Sequence, residues 1–174
     1  SQSDSRPKKE LAMLQRISQW DYAVSSLCLG HRFNSQVAAC ARVISHSADG
    51  YYYAVFAVVL AFTPYATVFV QLALPAFALE LASYLILKQL FRRDRPQSLP
   101  VFIRPSDRFS FPSGHSAGAF VMAACIAQTF PAWALVAFVW ASLVACSRVL
   151  LGVHFISDVL AGACLGLLIV FGIN

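Results

Sequence analysis

The stretch "TVFVQLALPAFALELASYLILKQLF", residues 67–91, decides the fold class. Its only formal charges are Glu80 and Lys88. A predominantly apolar run of about 20 residues is long enough, as a helix, to cross a ~30 Å hydrocarbon core. Inside such a helix the Glu80 carboxylate must face the bundle interior or a polar cavity, because lipid cannot solvate it. Helix packing and a substrate role are equally open for it.

Working outward, four more segments have the same character. One runs from Asp49 to Phe62, with Tyr51, Tyr52 and Tyr53 as interfacial anchors and Asp49 as a helix cap. Another begins at about His115 and ends near Phe130; Pro131 opens a further one that runs to about Cys146. The last spans His154 to Phe171, with His154 in its first turn. Upstream, Leu11 to Ser47 has apolar residues at helical spacing, interrupted by Arg16, Asp21, His31, Arg32 and Arg42. That pattern predicts one or two amphipathic helices in the interface; a true crossing within residues 21–46 is the minor reading, since charges at mid-bilayer are costly. Ser1 to Glu10 is polar and expected to fray. The expectation is an all-α integral membrane bundle of about five transmembrane helices over residues 49–174, preceded by interfacial helices over 1–48.

Composition agrees. Of 174 residues 59% are hydrophobic and 12% charged, against about 25% charged in a typical soluble domain. The formal net charge of +5 comes from basic residues up to Arg42 and from Lys88 to Arg108. Wedged between apolar helices, the second block suits phosphate at a membrane surface rather than nucleic acid. Cys28, Cys40, Cys125, Cys146 and Cys164 show no CxxC or metal-ligand spacing and read as small packing residues. No short apolar core precedes a small-residue cleavage site, so no cleavable signal peptide is expected.

Following the helix ends brings three polar clusters to one face: "KQLFRRDRP" (88–96), "PSGH" (112–115) and "SRVLLGVHFISD" (147–158). His154 and Asp158, four apart, share a helix face, so the carboxylate can fix the imidazole tautomer and leave the other nitrogen as a nucleophile. A turn through Gly152 brings Arg148 beside that nitrogen, and its planar fork suits a phosphate. Lys88 and Arg95 add positive charge, while Ser113 and Gly114 present backbone N–H groups at a helix start. His115 is the histidine placed to protonate a leaving oxygen opposite His154, the in-line arrangement of phosphoryl transfer. Taken singly, each feature also has a structural reading. Arg92, Arg93, Arg104 and Arg108 read as interfacial anchors, Lys88 alone as a snorkelling lysine, and His31 and His46 as structural, without an evident partner.

The three clusters together resemble the signature of the type-2 phosphatidic acid phosphatase superfamily, K-x6-RP, PSGH and SR-x5-H-x3-D, which also includes vanadium haloperoxidases and bacterial acid phosphatases. Lys88, Arg95 and Pro96 match its first part, Pro112 to His115 its second, and Ser147, Arg148, His154 and Asp158 its third. The resemblance implies His154 as a nucleophile that becomes phosphohistidine, oriented by Asp158, and His115 as the acid. It implies Lys88, Arg95, Ser113, Gly114 and Arg148 as phosphate ligands, with no metal and no cofactor. The expected function is a multi-pass cell (inner) membrane phosphatase acting on a lipid phosphate. Its substrate would be of the undecaprenyl diphosphate, phosphatidic acid or phosphatidylglycerol phosphate type. A lipid phosphotransferase using the same phosphohistidine, or a transporter with a phosphate site, stands as the alternative. The basic residues crowd the active-site side and would face it to the cytoplasm, but those that bind phosphate do not report topology.

Overall fold

The computed structural model describes residues 5–30, 32, 34–105 and 107–173, with side chains from residue 15 onward. It is all-helical over these residues: α1 (Ser5–Leu29), α2 (Asn34–His46), α3 (Gly50–Leu60), α4 (Ala66–Phe91), α5 (Gly114–Thr129), a 3-10 turn (Pro131–Trp133), α6 (Ala134–Leu150) and α7 (Ile156–Gly172). The helical bundle that the apolar runs predict is present. Of the stretch expected to fray, Ser5 to Glu10 is helical, since α1 starts at Ser5, while Ser1 to Asp4 and His31 lie outside the described residues.

Large apolar side chains face outward. Leu74, Leu81 and Ile86 of α4, Leu135 and Val139 of α6, and Leu160 and Leu168 of α7 are all exposed. A soluble protein rarely tolerates such a surface, whereas lipid tails accept it without penalty. Inside, the contacts are made by small residues: Ala117, Ala119, Ala123, Ala124 and Ala141 have no exposed surface. With no hydrophobic drive between helices in lipid, close backbone approach supplies the packing. Gly162 and Gly166 on α7 show this: a Cβ on either would come within 2.4 Å of the Ser113 carbonyl or 2.6 Å of the Ala117 carbonyl on α5. Two helices, Ala66–Phe91 and Pro131–Leu150, are by themselves long and apolar enough to cross a membrane; α3 and α7 are shorter apolar helices. The short α5 is buried almost throughout and forms the axis on which α4, α6 and α7 pack. Pro75 is accommodated within α4, as membrane helices allow.

Three local expectations change. The helix after Pro131 continues through Leu150, so Ser147 and Arg148 sit in its last turns. The final helix begins at Ile156, which leaves His154 ahead of it in the α6–α7 connection. Tyr51 and Tyr52 are exposed, but Tyr53 turns inward against Phe77 and Trp140, because successive helical residues are rotated by about 100°. All five cysteines are free; Cys125 is buried, while Cys40, Cys146 and Cys164 are exposed.

Candidate active site

The loop 92–113, the start of α5 and the α6–α7 connection meet at one end of the bundle. Gly152 turns that connection with φ of +74°, and a Cβ there would overlap the Pro100 carbonyl, so only glycine fits. His154 follows, almost fully buried. Its Nε2 lies 3.4 Å from Arg95 Nη1, and its Nδ1 faces Asp158 Oδ2 at 3.8 Å, an ion-pair separation longer than a hydrogen bond. The pairing arises from helix entry rather than from a shared helix face. Asp158 sits in the first turn of α7, where Oδ2 accepts the Phe155 N–H at 2.9 Å, and the chain just ahead brings the imidazole back over it. Burial holds His154 well below the usual imidazole range, at about 4, with Arg95 and Arg148 adding to the shift and Asp158 opposing it. A neutral imidazole is the form that carries a nucleophilic lone pair.

Arg93, read from sequence as a surface anchor, is instead an internal bridge. Its Nη1 donates to Asp158 Oδ1 at 2.8 Å and to Ser157 Oγ at 2.6 Å, and its Nη2 donates to Asp21 Oδ2 at 2.7 Å. Asp21, on the supposedly interfacial α1, is buried and also accepts the Ser157 N–H at 3.0 Å. Two carboxylates thus meet the positive end of the α7 dipole, with one guanidinium between them. The polar interruption that argued against a span at Asp21 reflects this long-range pairing.

On the opposite wall, Ser113 is the N-cap of α5, its hydroxyl accepting the Ser116 N–H at 3.4 Å. Its own backbone N–H donates to the Asp158 carbonyl at 3.0 Å, which ties the two helix starts together. Of the two backbone donors expected for an anion, the Ser113 one is therefore engaged. At Gly114 a Cβ would come within 2.8 Å of the Tyr84 ring, so the helix start can approach α4 only without a side chain. His115 Nε2 lies 3.2 Å from Asp49 Oδ1, and Asp49 Oδ2 lies 2.9 Å from Nδ1 of the exposed His46. Asp49 is the N-cap residue of α3 but makes no side-chain cap bond; its carboxylate is spent on the two histidines. Burial alone would raise its pKa, but those hydrogen bonds hold it below the ordinary range.

The cations complete the site. Arg148 is buried, donates from Nη1 to Ser45 Oγ at 2.6 Å, and leaves its buried Nε without a protein partner. Lys88 does not snorkel: it is buried, and its Nζ donates to Tyr84 Oη at 2.9 Å and Asp107 Oδ2 at 2.6 Å. Arg95 donates from Nη1 to the Val153 carbonyl at 2.6 Å and from Nε to the Asp107 carbonyl at 3.0 Å. Glu80 is buried on the α4 face that carries Tyr84 and Lys88 at four-residue steps. His115, Arg148, Asp49, Ser45 and Arg104 line a polar cavity of about 420 Å³. Beside it an apolar cleft of about 520 Å³ lies between α3, α5 and α6, starting at Ser47 and running past Tyr53, Phe56 and Met122 to Trp133. The geometry therefore brings eight expected residues, His154, Asp158, His115, Lys88, Arg95, Arg148, Ser113 and Gly114, to one end of the bundle. Asp21, Ser45, Asp49, Arg93 and Asp107 join them. For these the sequence carries only the weak signal of a polar residue interrupting an apolar or basic stretch.

The chain as a whole resembles known proteins. The profile of the PAP2 superfamily matches residues 56–174. The chain is 42% identical over 97 residues to phosphatidylglycerophosphatase B of Bacillus subtilis, a match covering 49% of this chain and 47% of that one. It is 36% identical over 85 residues to decaprenylphosphoryl-5-phosphoribose phosphatase of Mycolicibacterium smegmatis, covering 47% and 45%. The chain thus spans about half the length of the curated relatives it matches. Among solved structures, the transmembrane PAP2-type phosphatidylglycerolphosphate phosphatase of Bacillus subtilis superposes with a TM-score of 0.74 at 28% identity, covering 91% of this chain and 84% of that one. LpxE of Aquifex aeolicus does so with 0.77 at 24% identity, covering 86% and 91%, a likeness of fold.

Proposed function

The chain belongs to the PAP2 superfamily, and we propose that it is an integral-membrane lipid phosphatase working through a phosphohistidine on His154. The observation that carries this reading is the convergence of a buried neutral imidazole, a second imidazole paired to a carboxylate, and two buried cations with a third nearly buried, at one end of a lipid-facing bundle. In the first step the His154 Nε2 lone pair forms a bond to phosphorus. The bond from phosphorus to the lipid oxygen breaks with its electron pair, and His115 gives that oxygen its proton. Asp158 balances the positive charge on the imidazole. In the second step His115 takes a proton from water, the water oxygen attacks phosphorus, the P–N bond breaks, and inorganic phosphate leaves. Lys88, Arg95 and Arg148, with the Gly114 backbone N–H at the start of α5 and the Ser113 hydroxyl, stabilise the charge on the non-bridging oxygens. No metal or cofactor enters this scheme.

The chemistry resides in the bundle of residues 49–174, to which the interfacial helices of 1–48 contribute Asp21 and Ser45. The apolar cleft beside the polar cavity supports a lipid as the phosphate carrier, since its Ser47 end directly follows Ser45 and His46 of the polar wall. The relatives' names favour a phosphate carried on a lipid headgroup, of the phosphatidylglycerol phosphate kind, over a simple diphosphate. The cell (inner) membrane is the proposed site of action. The test is phosphate release by purified protein from a panel of phosphatidylglycerol phosphate, phosphatidic acid and undecaprenyl diphosphate, with His154→Ala as control. Transfer of phosphate only to an acceptor lipid would establish a phosphotransferase instead. Binding without turnover would point to a transporter.

A further inference from the structure

Asp107 is joined to two of the cations that the proposed function assigns to phosphate. Its Oδ2 accepts from Lys88 Nζ at 2.6 Å and from Tyr84 Oη at 2.6 Å, while Oδ1 accepts from Arg95 Nη2 at 2.5 Å. The Lys88 and Arg95 side chains are nearly buried, 7% and 11% exposed, so water screens these contacts little. The other nitrogen of the same guanidinium, Arg95 Nη1, lies 3.4 Å from His154 Nε2. A carboxylate spanning this lysine and this arginine therefore engages them as two oxygens of a phosphate beside the nucleophile would.

We propose that Asp107 is an internal competitor of the phosphate group, binding Lys88 and Arg95 between turnovers and yielding them when a phosphate enters. This rests on the lipid-phosphatase reading above. The carboxylate has the freedom to yield. Asp158 is fully buried, whereas the Asp107 side chain is 29% exposed and sits in the loop between α4 and α5. That loop is tied on either side of it, by Phe102 N–H to the Leu151 carbonyl and by Ser110 N–H to the Arg93 carbonyl. The swing is thus confined to the few residues around Asp107. Burial would raise the Asp107 pKa, but Lys88, Tyr84 and Arg95 hold it at about 2, so the competitor is charged at every working pH.

The consequence concerns product release. An internal ligand lowers the apparent affinity for any phosphate by the fraction of time that it leaves the cations free. A lipid substrate offsets that loss with the contacts of its tail, whereas inorganic phosphate has nothing else to bind with. Asp107 thereby keeps the site from being held by its own product.

The test measures inhibition of the purified, detergent-solubilised full chain by inorganic phosphate and by vanadate, comparing wild type with Asp107→Asn and Tyr84→Phe. Asp107→Asn should lower both inhibition constants about tenfold, as for a site free about a tenth of the time. Tyr84→Phe deletes one bond to the carboxylate and the one that Lys88 Nζ donates to the Tyr84 hydroxyl, and removes no charge; it should lower them about threefold. It decides the matter alone if Asp107→Asn does not fold. Inhibition constants that stay within twofold of wild type, or rise, overturn the inference. A rise is the signature of a residue that merely positions the cations. Absence of both phosphate release and vanadate binding in wild type would instead refute the phosphatase reading. An active wild type whose variants bind phosphate no tighter refutes only the role of Asp107.

Discussion

Two histidine–aspartate pairs face the site from opposite walls, and they are built differently. His154 and Asp158 are four residues apart, almost fully buried, and embedded in a network with Arg93, Asp21 and Ser157. His115 and Asp49 are far apart in the chain, each about a quarter exposed, and connected outward to His46. The contrast matches the division of labour proposed for them. Burial keeps the first imidazole neutral, as a nucleophile requires; the second is also disfavoured as a cation by burial and by Arg148, and its contact with the Asp49 carboxylate opposes that shift, which retains the proton an acid must give.

The contrast can be broken most severely at the nucleophile. His154→Ala should reduce lipid-phosphate turnover by about 10⁴-fold or more and abolish acid-labile phosphoenzyme labelling. Retained labelling would move the nucleophile elsewhere. His115→Ala should cost about 10²- to 10⁴-fold with lipid substrates, and much less with p-nitrophenyl phosphate, whose leaving group needs no proton. Equal losses on both would assign His115 to phosphate binding rather than to acid catalysis.

Smaller effects separate the two environments. Arg93→Ala strands two buried carboxylates and should destabilise the protein by about 3 kcal/mol, read as a fall in the thermal midpoint in detergent, with Asp21→Asn partly restoring it. No shift would mean that the bridge is dispensable. The pH profile of kcat/KM should keep its acidic limb near pH 4, since His154 loses its lone pair only as pH falls through its lowered pKa of about 4. An acidic limb near 6.5 would contradict the burial argument. Asp49→Asn removes the charge that stabilises protonated His115, so the alkaline limb should move to lower pH, with a loss of turnover at neutral pH. His46→Gln, at the exposed end of that chain, should change activity less than about twofold.

Much of the site was legible in the sequence because its chemistry needs particular residue types at close spacing. Lys88 and Arg95 flank one helix end, Ser113 to His115 open another, and Arg148 to Asp158 cross a single turn. What escaped were the partners supplied from afar. Asp21 lies 72 residues from Arg93, Asp49 lies 66 from His115, and Ser45 lies 103 from Arg148. Each looks in sequence like a polar residue in an interfacial helix or a helix cap. The GxxxG spacing of Gly162 and Gly166 was present in the sequence, but its meaning depended on α5 lying across it.

By itself, the sequence determined the class of the molecule. Apolar runs of membrane length set helices in lipid, and their alternating direction returned three polar clusters to one end, because a helix that crosses must end on the other side and the next must come back. Only the tertiary structure decided the state of each charged group. Whether Arg93 meets water or two carboxylates, and whether Lys88 and Arg95 face a phosphate or Asp107, depends on atoms a few ångströms apart in space and far apart in the chain. Electrostatic energies vary steeply with distance and burial, and neither quantity is written in residue order.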